Sequence, residues 1–218
     1  MPTLQTPATH DLPLQHRAAS VEPASFNAER NTVDVVWTTG ARVRRYDWWN
    51  DTPYDEDLVV DPEAVDMSRF DAGTVQVLDG HRVSGGVDAI LGRATEGAIS
   101  GGEGRATLQL SRRDDLAGVV GDIQAGIIRA ISFGYSVQRY EITRAQDRTD
   151  GVNVPLYRAV RWQPQEISFV TVPADPNAGT RGQPGRDQQQ RSAGPQAPCE
   201  FVFTRSANER TTTMTEAE

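Results

Sequence analysis

The chain contains no lysine: all 22 of its basic residues are arginine. Schiff-base chemistry, a Ser–Lys dyad and a phosphate-loop lysine are therefore excluded within it. Cysteine is limited to Cys199, so no internal disulfide is possible, which fits a reducing cytoplasm. Histidine is limited to His10, His16 and His81. No apolar run approaches the roughly 20 residues that a spanning helix needs. The opening MPTLQTPATHDLPLQ lacks the apolar core of a signal peptide, and no membrane partner is expected. Positive charge is also scarce: 22 basic against 30 acidic residues give a net charge of -8 and a pI of about 5.0. Phosphate binding needs a basic face, so nucleic acid is not an expected partner.

What remains is enough for one domain of ordinary size with tails. Hydrophobic residues make up 37% of the 218, and the mean hydropathy is -0.53. Such a balance predicts that part of the chain is disordered. Residues 1–28 are polar, rich in Pro, Ala and Thr and without sustained period, and read as a flexible leader. His10 and His16 fall there as solvated side chains. Residues 29–178 read as the folded domain. Residues 179–218 read as a linker-like, disordered tail in which only CEFVFT could add a strand or docking peptide.

Within the domain, Asn31–Thr38 and Ala41–Trp48 read as strands, and Asn50–Asp57 as an acidic loop. Asp61-Pro62 signals the start of a short helix, DPEAVDMSRF, ended by Asp71–Gly73. Thr74–Leu78, Val87–Ala94 and Arg105–Leu110 read as further strands, with a Gly-rich hairpin at Gly97–Gly104. Leu116, Val119, Val120, Ile123, Ile127 and Ile128 follow the spacing of one long amphipathic helix, with Ser111 or Asp114 as its cap. Period two returns at Ile131–Ile142, Leu156–Trp162 and Glu166–Val172. About eight evenly spaced strands and few helices predict a mainly β, α+β fold, an antiparallel sheet or barrel.

His81 is the one histidine inside the expected fold, just past a strand end after Asp79-Gly80. It is either an ordinary loop histidine or a base held at the rim of a cleft. Ser132 lies two residues into the strand after the long helix, in RAISFGY, as a structural serine or as a hydroxyl presented at a rigid joint. Gly134 beside it admits close approach of another chain. A serine is a poor nucleophile without a neighbouring base, and His81 is the only credible one. A base of this kind needs a partner on its other nitrogen. Glu166 is an acid in the apolar strand of QEISFVTVPADPNA, with Ser168 on the same face. It reads as that partner or as an edge carboxylate. Asp79, Asp88, Asp114, Asp115 and Asp175 are better explained by turns, caps or strand surface. One histidine, no usable cysteine and no paired-ligand spacing leave no metal or cofactor site expected.

Read together and in order, LDGHRV, GIIRAISFGY and QEISFVTVPADPNA resemble the prohead (capsid maturation) serine proteases of tailed bacteriophages, relatives of the herpesvirus assemblins. The similarity covers roughly residues 30–180, including LGRATEG and SRRDDLAGVVGDIQAGI between the motifs. It implies an assemblin-like closed β-barrel with one long and one or two short packed helices. It implies a triad of His81 as base, Ser132 as nucleophile and Glu166 as orienting acid, where assemblins carry a second histidine. Two departures stand out: Pro173-Ala174-Asp175 replaces the assemblin Gly-Arg-Arg run that forms the oxyanion hole, and His-Arg stands where many relatives have His-Asp. The resemblance further implies cleavage of the scaffold, of the capsid protein's N-terminal segment and of the protease itself. This would occur inside the immature prohead in the host cytoplasm, with a homodimer by analogy. For the tail two readings stand open: a fusion continuing past Glu218 into scaffold or capsid protein, and an autoproteolytic end. Two other readings remain: an inactive protease-fold assembly protein, and a peptidase using Ser168.

Overall fold

The computed structural model describes residues 8–21, 25–47, 50–171 and 197–204. The described residues form an eleven-stranded sheet with two short α-helices. The strands are β1 (Ala8–Leu12), β2 (Gln15–Val21), β3 (Thr32–Thr38), β4 (Val43–Asp47), β5 (Thr52–Leu58), β6 (Gln76–Asp79), β7 (Ile90–Ser100), β8 (Glu103–Leu110), β9 (Ala130–Thr143), β10 (Leu156–Phe169) and β11 (Ala197–Phe203). The helices are α1 (Ser68–Asp71) and α2 (Ala117–Gln124). Strand order is β1-β11-β9-β2-β3-β8-β7-β6-β10-β5-β4, and β9 also pairs with β10. The mainly β expectation holds. The sheet as a whole ends in two edge strands, β1 and β4, and is not the simple closed barrel that the resemblance implies.

Several boundaries differ from the sequence reading, for identifiable reasons. The stretch read as a flexible leader contributes β1 and β2. Hydropathy misses β2 because its anchor is a charge. Arg17, fully within the fold, donates to Glu56 Oε2 at 3.0 Å and to Tyr135 Oη at 3.1 Å. The acidic loop at 50–57 is largely β5, whose carboxylates are paired: Asp55 with Arg44 and Arg148, and buried Glu56 with Arg17 and Arg45.

The long helix is a 3-10 turn at Asp114–Leu116 followed by only eight α-helical residues. Gly126 closes it at φ 72°, the left-handed geometry that suits glycine after a helix. Ile127 is consequently exposed, although it fits the helical spacing. Of DPEAVDMSRF only Ser68, Arg69 and Phe70 are α-helical, in a helix that ends at Asp71; Asp61 instead accepts the Glu63 and Ala64 N–H groups in a turn. Val87 lies in a short 3-10 segment before β7. In the tail, Ala197–Phe203 adds β11 alongside β9; residues 179–196 and 205–218 lie outside the described residues.

One core lies against the sheet, centred on Trp37, Phe133, Tyr135 and Trp162. Their rings contact one another edge-on or tilted, with centroids 5.3–6.1 Å apart. Each such fully buried side chain contributes roughly 2–3 kcal/mol of transfer free energy. Because side chains alternate, Ile131, Phe133 and Tyr135 of β9 enter this core while Ser132, Gly134 and Ser136 take the opposite face.

Candidate active site

Strand β10 reads as two segments in sequence but is continuous, and its irregularity positions the key acid. Trp162 and Pro164 oppose Val137 and Tyr135 and lie buried on the core side. Unbroken alternation would send Glu166 into the core as well. Instead the register shifts between Pro164 and Glu166, so that Glu166 opposes Gly134. A one-residue bulge reverses the alternation. Glu166 and Ser168 then share the outer face with Gly134 and Ser132, while Ile167 and Phe169 fill the core. The proline sits beside the bulge, where a missing ladder donor is tolerated.

Strand β2 flanks β9 on its other side, pairing His16 with Gly134 and Ala18 with Ser132. Two cross-strand rows result: His16, Gly134, Glu166 and Ala18, Ser132, Ser168. The glycine in the first row is required by space. A Cβ at residue 134 would lie 2.6 Å from Glu166 Oε1 and 3.1 Å from Leu14 Cδ2. Gly134 is thus the slot into which the carboxylate folds, and it lets side chains two strands apart meet.

His81 reaches this carboxylate from a tight turn after β6. Gly80 and His81 both have φ 61°, and Arg82 N–H returns to Asp79 O at 3.3 Å. A left-handed histidine is uncommon and needs support. It comes from β10: Phe169 O accepts Gly80 N–H at 2.9 Å, and Ser168 Oγ accepts His81 N–H at 3.1 Å. The His81 ring then meets Glu166, Nδ1 to Oε1, at 2.6 Å. Ser168 Oγ donates to the other oxygen, Oε2, at 2.5 Å.

Glu166 is 3% exposed, and burial by itself raises a carboxyl pKa. His16, His81 and Ser168 around it outweigh that and hold it below the ordinary value, so it is an anion. A proton on His81 Nδ1, facing the ionised Glu166, is the tautomer that leaves the Nε2 lone pair available.

Of the three residues singled out in sequence, the structure joins His81 to Glu166 directly. Ser132 lies on the same face, but its Oγ donates to Arg17 O at 2.7 Å and is 1% exposed. No hydrogen bond joins Ser132 to His81 among the described residues. Ala174, a candidate oxyanion donor, lies outside the described residues. The competing acids are elsewhere: Asp79 pairs with Arg82, Asp88 sits in an exposed 3-10 segment, and Asp115 faces Arg113. Cys199 is buried in β11, and burial pushes its thiol up to about 12, out of range for a nucleophile.

Sequence reasoning missed His16. Its Nδ1 lies 3.5 Å from Glu166 Oε1, and its ring centroid is 3.9 Å from that of His81. The distance to the carboxylate is that of an ion pair, yet Nδ1 is buried and makes no hydrogen bond. The available signal was period two: Leu14, just before β2, and His16 lie on one side while Arg17 takes the other.

A buried carboxylate bonded to an imidazole is the acid–base half of a serine-hydrolase triad, here without a serine bonded to the imidazole side chain among the described residues. Residues 41–189 match the family described as Caudovirus prohead serine protease, and the chain belongs to that family. The match covers the His81, Ser132 and Glu166 segments and leaves out β2 with His16. No curated protein and no solved structure matches the chain.

Proposed function

We propose that this chain is the endopeptidase of capsid maturation, with Ser132 as nucleophile, His81 as general base and Glu166 as the orienting acid. The observation that carries this reading is the 2.6 Å contact between His81 Nδ1 and Glu166 Oε1. It leaves Nε2 free to accept a proton. Ser132 Oγ swings off the Arg17 carbonyl, gives its proton to Nε2 and attacks the scissile carbonyl carbon. The imidazolium, held by Glu166, then protonates the leaving amine. Water hydrolyses the acyl-enzyme by the reverse proton path. Since the Ser132 hydroxyl is buried beneath β2, productive binding includes local displacement of that strand.

Ser168 fits a positioning role better than that of nucleophile. Its hydroxyl is occupied on both sides, donating to Glu166 and accepting from the His81 backbone. The assemblin-like barrel finds support in the pairing circuit β9-β2-β3-β8-β7-β6-β10, which the β9–β10 ladder returns to its start. Substrates follow from the family: phage scaffold, the N-terminal segment of the major capsid protein, and the protease itself, acting inside the prohead as a monomer or homodimer.

Co-expression with the capsid and scaffold proteins tests the assignment. The parent chain is expected to trim both, and Ser132→Ala to trim neither while remaining folded. Cleavage by Ser132→Ala at the parental rate would refute the nucleophile, and an inert parent chain would favour an assembly protein built on a protease fold.

A further inference from the structure

We propose that His16, His81 and Glu166 form a binding site for a divalent transition metal ion of the zinc class, and that occupancy of this site switches the peptidase off. The switching half rests on His81 being the general base; the binding half does not.

The three residues each offer one ligand atom, and these atoms all lie within 4.8 Å of one another. Two imidazoles and one carboxylate are a donor set typical of zinc with a position left open. At ordinary metal–ligand lengths, two ligands of a tetrahedral ion are about 3.4 Å apart. The His16 Nδ1 to Glu166 Oε1 distance of 3.5 Å already matches. The His81 Nδ1 to Glu166 Oε1 distance of 2.6 Å is that of a hydrogen bond. It opens by about 0.8 Å once a metal replaces the shared proton.

Two further features point to a ligand. His16 Nδ1 is buried with no hydrogen-bond partner, a state that normally costs free energy. A metal between it and the carboxylate removes that defect. The ring centroids of His16 and His81 also lie 3.9 Å apart with their planes tilted by 48°, and both rings bring Nδ1 to one oxygen. Both histidine side chains are about a quarter exposed, 27% and 22%, which gives an ion a way in. Arg17 fixes the register of β2 from the opposite face, so the His16 ligand is held by the fold.

The consequence for catalysis follows from the single lone pair of a neutral imidazole. A metal on His81 Nδ1 uses that pair. The proton leaves Nδ1, and Nε2 takes one from solvent, so the ring stays neutral. Nε2–H then has no lone pair with which to accept the Ser132 proton. The metal also holds His16, and with it β2, over the buried serine.

Calorimetry with Zn2+ on the metal-free full chain, with Co2+ absorption as a second probe, tests the site. One ion per folded chain is expected. His16→Gln and Glu166→Gln, shown folded by circular dichroism, should each weaken binding at least about 100-fold, beyond what loss of an outer-shell partner costs. His10→Gln should bind like the parent. Absence of one-to-one binding, parental affinity in His16→Gln, or loss in His10→Gln would overturn the site. In parallel, stoichiometric Zn2+ should stop cleavage and a chelator restore it. Undiminished cleavage with zinc bound one-to-one would overturn the switch. Persistence of cleavage in Ser132→Ala would instead strike the catalytic assignment, while calorimetry still decides the site.

Discussion

Replacing Ser168 by alanine separates the two serines that share the outer face of β9 and β10. The hydroxyl removed makes two bonds, accepting His81 N–H at 3.1 Å and donating to Glu166 Oε2 at 2.5 Å. Ser168 is 0% exposed, so water does not enter to replace them freely. A buried group left without its partner costs about 1–3 kcal/mol, with the bond to a charged oxygen at the upper end. Part of this appears as stability, a fall in Tm of roughly 2–8 °C for a domain of this size. The rest appears at the site. The left-handed His81 turn loses one of its supports, and Glu166 gains freedom to rotate away from the ring. A loss of 1.4–2.8 kcal/mol of transition-state stabilisation is about 10- to 100-fold in kcat/KM. Loss of a serine nucleophile costs far more, on the order of 10⁶-fold in related chemistry. The assay is cleavage of purified capsid protein by parent, Ser168→Ala and Ser132→Ala, with circular dichroism to establish folding. The expected order is parent, then Ser168→Ala reduced, then Ser132→Ala inactive. A folded Ser168→Ala as dead as Ser132→Ala, with serine reactivity lost, would move the nucleophile to Ser168 and refute the positioning role.

Gly134→Ala should uncouple His81 from Glu166, because the new Cβ would sit 2.6 Å from Oε1. Overpacking costs about 1–3 kcal/mol, and cleavage should fall about 10- to 100-fold, measured as kcat/KM beside a thermal melt. Glu56 offers a pH test: burial would raise its pKa, but Arg45 and Arg17 bring it down to about 2. Stability from such a lowered carboxylate is present above its unfolded value of about 4.5 and is lost as pH falls toward 2, amounting to about 3 kcal/mol. Urea titrations of the parent should record that loss, and Glu56→Gln should be weaker at pH 7 yet flatter across the same window. Cys199, buried with its thiol pushed up to about 12, should resist alkylation at pH 8 in the native chain and react at once in denaturant.

The strands that hydropathy could reveal are those whose inward residues are apolar. Ile131–Ile142 and Arg105–Leu110 alternate openly because Phe133, Tyr135, Leu108 and Leu110 face the core. Strands β2 and β5 were illegible for the opposite reason. Their inward residues are Arg17 and Glu56, which satisfy each other with Arg45, Tyr135 and Tyr140 inside the fold. A charge pattern reads as solvated surface until its partner is known, and the partners of Glu56 lie 11 to 84 residues away from it. The helix was over-read because isoleucines at helical spacing continue past the glycine that ends it.

The same contrast holds at the site. The pairing of His81 with Glu166 could be anticipated because each is chemically conspicuous: the lone histidine of the recognisable fold and an acid in an apolar strand. What could not be anticipated is the bulge between Pro164 and Glu166, without which that acid would face Trp37 and Phe133 rather than a histidine. Nor could His16, since its place depends on β2, and β2 depends on a buried ion pair across the sheet. The chain therefore holds the buried Glu166 carboxylate between two histidines of different origin. One is fixed by a turn after β6 that β10 braces, the other by the anchoring of a strand outside the family's matched residues. Glu166 cannot serve both rings through one proton, and under the proposed mechanism and metal site its division between them sets whether His81 acts as a base or as a ligand.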